Sequence, residues 1–72
     1  MDVRVRLGKR IKQLRTDKGM SQKDLAYEAD LDRSYIASVE NGQRNVSIVN
    51  IEKIAKALGV SLRILFRHAD FD

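Results

Sequence analysis

From residue 20 onward the chain repeats one local device four times: an apolar residue, a helix-capping residue, and a second apolar residue four positions after the cap. The instances are Met20-Ser21 with Leu25, Leu31-Asp32 with Ile36, Val46-Ser47 with Ile51, and Val60-Ser61 with Leu65. Ser and Asp are favoured N-caps because a side-chain oxygen accepts from amides that the first turn leaves unpaired. The flanking apolar pair is a hydrophobic staple, which fixes the angle at which the chain enters the helix. Ser21 and Asp24 add a capping-box-like pair, with Asp standing where Glu or Gln is usual. Gly42 and Gly59 sit where a left-handed closing residue belongs.

Upstream, Val3, Leu7, Ile11 and Leu14 recur at helical spacing on a segment otherwise rich in Arg, Lys and Gln. Asp2 is placed to cap this segment and Gly19 to close it. These signals predict helices over 3–18, 22–29, 33–41, 48–58 and 62–67, with no strand-like alternation and no proline. The expected fold is all-α, with five helices in one domain spanning 1–72 and a frayed tail over 67–72. Gly8, inside the first helix, costs about 1 kcal/mol relative to Ala and suits a close approach by a neighbour.

A chain of 72 residues is near the lower limit for a self-sufficient core, and without cysteine neither a disulfide nor a thiolate zinc site can supplement it. Association into a homodimer is the expected supplement. No apolar run approaches the length of a membrane span and no signal-peptide pattern is present, so a soluble, cytoplasmic protein is expected. His68, the single histidine, lies beside Asp70 in the tail. With no nucleophile or second ligand near, neither catalysis nor metal binding is expected of it, and no cofactor or small-molecule ligand is implied.

The net charge is +4, and Arg4, Arg6, Lys9, Arg10, Lys12, Arg15, Lys18 and Lys23 all fall within residues 1–23 against Asp2 and Asp17. Such a block suits a polyanion but equally describes a solvated helix face. The third helix tips the balance. On a helical wheel Tyr35, Ile36 and Val39 point inward, while Arg33, Ser34, Ala37, Ser38 and Asn41 point outward. One arginine among small side chains and an amide is a poor solvated face but a good one for entering a DNA major groove. Helices 2 and 3 are short and only Asp30-Leu31-Asp32 separates them, which forces a sharp turn; Ala26 on the inner side of helix 2 lets the next helix cross closely.

Gln22-Lys23-Asp24-Leu25-Ala26, Leu31 to Ile36, Val39-Glu40-Asn41-Gly42 and Ile51 to Leu58 together resemble the Cro and phage-repressor type of helix-turn-helix family, over residues 7–66. Asp32 to Ile36 and the Gly42-to-Asn45 segment look most like the controller regulators of restriction-modification systems. The resemblance implies a lambda-repressor-like DNA-binding fold with the helix-turn-helix at helices 2 and 3. It implies base-edge contacts from Arg33, Ser34, Ala37 and Ser38, with Arg33 the strongest through bidentate bonding to guanine. It implies phosphate contacts from Gln22, Asn41, Gln43, Arg44 and Asn45, and a structural ion pair between Arg15 and Glu40. Where this family commonly has Gly in the turn, this chain has Asp30, a residue type able to adopt the left-handed conformation. Tyr35 lies at the edge of the inner face, its ring suited to the core and its hydroxyl to the DNA backbone.

Ile48, Val49, Leu62, Ile64, Leu65 and Phe66 supply more apolar surface than one small domain readily covers. Val49, Leu62, Leu65 and Phe66 are the expected two-fold interface, which would set two recognition helices about 34 Å apart on a palindromic site. The expected function is a sequence-specific, dimeric DNA-binding transcriptional regulator with double-stranded DNA as partner, and no enzyme activity. The alternative is an antitoxin-type interaction module that binds DNA only to regulate its own operon. Few residues after Phe66 are available to embrace a toxin.

Overall fold

The computed structural model describes residues 2–68 and Phe71, which form five helices: α1 (Val3–Asp17), α2 (Gln22–Ala29), α3 (Arg33–Glu40), α4 (Ile48–Ala57) and α5 (Leu62–Phe66). Each of the four staples opens a helix. Ser21, Ser47 and Ser61 accept from the amides of Asp24, Asn50 and Ile64, and Asp2 accepts from Arg4 at the start of α1. Ser21 and Asp24 close a full capping box, at 2.9 and 3.0 Å. Asp32 differs: its backbone takes the N-cap conformation, but its carboxylate makes no capping hydrogen bond. Thus α3 is started by the Leu31–Ile36 staple, and its first-turn amides lack a side-chain acceptor.

Three of the four corners are built alike. Gly19-Met20-Ser21, Asp30-Leu31-Asp32 and Gly59-Val60-Ser61 each run from a left-handed residue through an apolar one to the next N-cap. The apolar amide bonds back five residues, Met20 to Arg15, Leu31 to Ala26 and Val60 to Ala55. That is the Schellman closure. One apolar side chain thereby both finishes a helix and staples the next. Asp30 adopts φ 55° and ψ 48°, so the helix-turn-helix corner keeps its left-handed geometry with an aspartate in the glycine position.

The core draws on every helix: Leu7 and Ile11 of α1, Leu25, Ala26 and Ala29 of α2, Ile36 and Val39 of α3, Ile54 and Ala55 of α4 with Leu58 just beyond it, and Leu65 of α5. Each large member, removed from water, contributes about 1.5–3 kcal/mol relative to an exposed position. α1 packs against both α3 and α5, while α2 packs on α3 and α4. α1 and α3 approach closely at Gly8, where a methyl group would lie 2.4 Å from the Val39 carbonyl oxygen and 2.6 Å from that of Glu40. Val3, expected on the core stripe, is instead 55% exposed in the first turn of α1, where it lines a groove with Val46, Ile51 and Phe66.

Leu65 requires a correction. Expected at a two-fold interface, it is fully buried in the protomer's own core. Its staple position after Ser61 turns it inward, and the neighbouring Ile64 is the residue turned outward, at 38% exposure. Of the tail, the Phe71 ring stands edge-on to Phe66, with centroids 5.1 Å apart, whereas Asp70, set beside His68 in the sequence, lies outside the described residues. Among the described residues no helix is long and apolar enough to cross a membrane.

Candidate nucleic-acid interface

The site is α3 and the two segments that flank it. Ile36 and Val39 anchor the helix in the core, and Gly42, with φ 74°, ends it through the bonds Gly42 N–H to Val39 and Gln43 N–H to Ser38. With one side so fixed, Arg33 and Ser34 are exposed and Ala37 and Ser38 half-buried on the other. The open face has nothing longer than serine except Arg33. A second surface can therefore come within contact distance of this helix backbone.

Beneath α3 lies a buried ion pair. Arg15 Nε donates to Glu40 Oε2 at 2.6 Å and Arg15 Nη2 to Glu40 Oε1 at 3.0 Å. The side chains are 10% and 2% exposed. The third arm of the guanidinium, Nη1, donates to the Met20 carbonyl at 2.8 Å. The Glu40 hydrogen bond raises the Arg15 pKa above its ordinary value, with burial opposing. The pair thus ties the end of α1, the corner after it and the end of α3 into one unit. A buried pair contributes little net stability against well-packed apolar residues; what its bonds do is join the end of α1 to the end of α3.

Gln22 joins the same network. Its Nε2 donates to Glu40 Oε1 at 3.1 Å. The residue is half-buried, so one amide hydrogen serves the ion pair while the rest of the amide stays near the surface at the start of α2. Asn41, Gln43, Arg44 and Asn45 are all exposed on the segment after α3.

Ser38 and Tyr35 are more engaged than their wheel positions imply. Ser38 Oγ donates to the Tyr35 carbonyl at 2.7 Å and accepts from Arg44 Nε at 3.0 Å. A hydroxyl has one proton and two lone pairs, so a single lone pair remains. Arg44 also stacks over the Tyr35 ring, 5.5 Å from its centroid, within the range of a cation–π contact. The Tyr35 hydroxyl accepts from Asn50 Nδ2 at 3.2 Å, which leaves its own proton available to an outside acceptor. The arrangement therefore offers Arg33, Ser34 and Ala37 as the open face, with Arg44 and the Tyr35 hydroxyl at its rim.

Asn50 was not singled out by the sequence. It stands three residues after the Ser47 cap, where a capping box would place Glu or Gln, and that position is its only local signal. Its amide N–H goes to Ser47 and its side chain to Tyr35. Among the described residues no group of three metal-ligating side chains comes together.

Compared with known proteins, residues 11–65 match a protein-family model described as helix-turn-helix. The chain belongs to the helix-turn-helix family of the Cro and phage-repressor type. The control protein C.MunI of Mycoplasma sp is 50% identical over 66 residues, covering 90% of this chain and 89% of that protein. The crystal structure of the restriction-modification controller protein C.AhdI from Aeromonas hydrophila matches with a TM-score of 0.85 and 56% identity, over 88% of this chain and 96% of that one. The controller protein C.Esp1396I, solved as a tetramer with its natural 35 base-pair operator, matches with a TM-score of 0.87 and 41% identity, over 92% and 87%. Helix-turn-helix membership and the five-helix fold agree with the expectations drawn from the sequence.

Proposed function

We propose that the protein is the controller of a restriction-modification system: a homodimeric, sequence-specific transcriptional regulator that binds a palindromic operator in the cytoplasm and catalyses no reaction. The observation that carries this reading is the outer face of α3, stripped of long side chains except Arg33 and joined to the end of α1 by the Arg15–Glu40 pair. In the major groove Arg33 donates two hydrogen bonds to guanine O6 and N7, worth about 1–3 kcal/mol of discrimination. Ser34 bonds an adjacent base edge and Ala37 packs against a thymine methyl. Ser38, already bonded twice within the protein, holds Arg44 and Tyr35 in place, its remaining lone pair facing the groove.

Phosphate oxygens are taken by the amides of Gln22, Asn41, Gln43 and Asn45, by the Arg44 guanidinium and by the Tyr35 hydroxyl proton. These contacts fix register without reading sequence. The interface uses Val49, 61% exposed, and Ile48, 64% exposed, together with Ile64, Leu62 and Phe66 of α5, and Leu65 is removed from the set. Two protomers so joined present their α3 helices to successive turns of one groove face.

A gel-shift titration at several salt concentrations tests the reading, using the duplex that the protein selects from a random-sequence pool and a scrambled duplex. The expected result is a steep fall of affinity with salt for both duplexes and a preference for the selected one of about 10³-fold or more. Salt-insensitive binding, or equal affinity for the two duplexes, would overturn it.

A further inference from the structure

Arg10 is a half-buried arginine on α1 whose bonds reach across the fold. Its Nε donates to the Leu65 carbonyl and its Nη2 to the Ile64 carbonyl, both at 2.9 Å. Its Nη1 leans on Gln13 Oε1 at 3.4 Å. Those carbonyls belong to the last turn of α5, a helix of five residues; the Ile64 carbonyl also accepts from the Arg67 amide at 3.2 Å. A planar guanidinium holding two successive carbonyls fixes both the position and the direction of so short a helix, which a point-charge ammonium cannot do.

The same α1 carries Gly8, in contact with the Val39 and Glu40 carbonyls of α3, and Arg15, paired with Glu40. One stiff 15-residue helix therefore bonds to α3 at one side and to α5 at another. α3 holds the open DNA-facing surface, and α5, which packs on α4, carries the exposed Ile64, as α4 carries the exposed Ile48 and Val49.

We infer that Arg10 is a positioning residue that sets the distance and angle between the two recognition helices of the dimer, by locking the interface helix α5 to the spine that carries α3. The inference rests on the dimeric operator-binding reading above. It assigns to Arg10 no contact with DNA and none with the partner subunit. Its effect is on geometry: loosening α5 lets the two α3 helices stand at more than one separation, so the dimer becomes tolerant of altered half-site spacing.

The test compares the wild-type protein with Arg10→Met, which keeps the apolar stem and removes every donor, and Arg10→Lys, which keeps the charge. Three quantities are measured: the dimer dissociation constant by sedimentation equilibrium, the affinity for a duplex bearing one half-site, and the affinity ratio between the selected palindromic duplex and the same duplex with one base pair inserted at its centre. For Arg10→Met the dimer dissociation constant rises about tenfold, the effect of about 1.4 kcal/mol. The penalty for the inserted base pair shrinks severalfold, and half-site affinity stays at the wild-type value. Arg10→Lys moves the dimer dissociation constant and the penalty for the inserted base pair in the same direction by less, and it carries the test if Arg10→Met fails to fold. An unchanged spacing penalty in the folded variant overturns the inference, as does a loss of half-site affinity in step with a lowered melting temperature. If the wild-type protein itself sediments as a monomer or shows no spacing preference, it is the dimeric reading that fails, and the inference with it.

Discussion

Gly8→Ala separates two opposing effects whose sizes can be worked from the structure. In the middle of a helix the change would ordinarily stabilise by about 0.5–1 kcal/mol, because glycine loses more chain entropy on folding. Here the added methyl would meet the Val39 oxygen at 2.4 Å, the Glu40 oxygen at 2.6 Å and the Glu40 carbonyl carbon at 2.9 Å. All three are backbone atoms in the last turn of α3, so no rotamer change relieves the clash. The helices must separate by about 1 Å to reach the spacing of ordinary contacts, and overpacking of this kind costs about 1–3 kcal/mol or more. Separation also stretches the Arg15–Glu40 bonds, now 2.6 and 3.0 Å. The steric effect wins, with a net loss of about 2 kcal/mol, and in a domain this small that lowers the melting temperature by roughly 8–16 °C. Thermal unfolding followed by circular dichroism reads it directly. A melting temperature raised by a few degrees would mean that propensity decides and that the α1–α3 contact is not as close as described.

Three further outcomes follow from the same structure. Glu40→Ala leaves the Arg15 guanidinium buried with two donors unpaired and should cost about 3–5 kcal/mol, with DNA affinity falling alongside; a variant that resists urea as well as the parent and binds equally well would remove the pair's structural role. Asp30→Gly relieves a non-glycine residue at φ 55° but loosens the unfolded chain, so DNA binding should be retained and the melting temperature should hold or rise by an amount worth less than about 1 kcal/mol; a clear loss would mean that the Asp30 side chain itself supports the corner. The Asp2 carboxyl is held down to about 2 from 3.8, first by its side-chain bond to Arg4 and then by the Arg4 amide, and the Ser21 amide and hydroxyl lower Asp24. Because both folded values are depressed, their stabilisation is complete above the ordinary carboxylate range and is lost on acidification, for Asp2 between about 3.8 and about 2. A carbon-13 carboxyl titration should show Asp2 with its midpoint near 2, and a midpoint at the ordinary value would contradict the Asp2–Arg4 contact.

Helix starts were readable because caps and staples are local: Ser21, Ser47 and Ser61 each find their acceptor role within three residues. So were the corners, since a left-handed residue followed by an apolar one needs no distant partner. Arg15 and Glu40 lie 25 residues apart, and nothing in their spacing paired them; only family resemblance did. Arg10 and Asn50 read as ordinary polar helix residues because their partners, the α5 carbonyls and the Tyr35 hydroxyl, are set by how helices cross. A count of surplus apolar residues points Leu65 to the interface, although its staple position implies the core, where it is buried. Asp32 has the right residue type and backbone for a cap, yet its carboxylate makes no capping bond. Ser38 faces outward on a wheel, but a wheel cannot show that Arg44, returning after the Gly42 turn, takes up its hydroxyl.

The proposed regulator reads DNA through α3, chiefly by way of Arg33. A double-mutant cycle across the interface tests it most directly: affinities of wild-type protein and Arg33→Ala for the selected duplex and for duplexes in which each guanine is replaced in turn by 7-deazaguanine, which lacks the N7 acceptor. The expected result is one guanine per half-site whose replacement weakens wild-type binding by about 1–3 kcal/mol and leaves Arg33→Ala binding unchanged. Penalties of equal size in both proteins, at every guanine, would show that Arg33 reads no base.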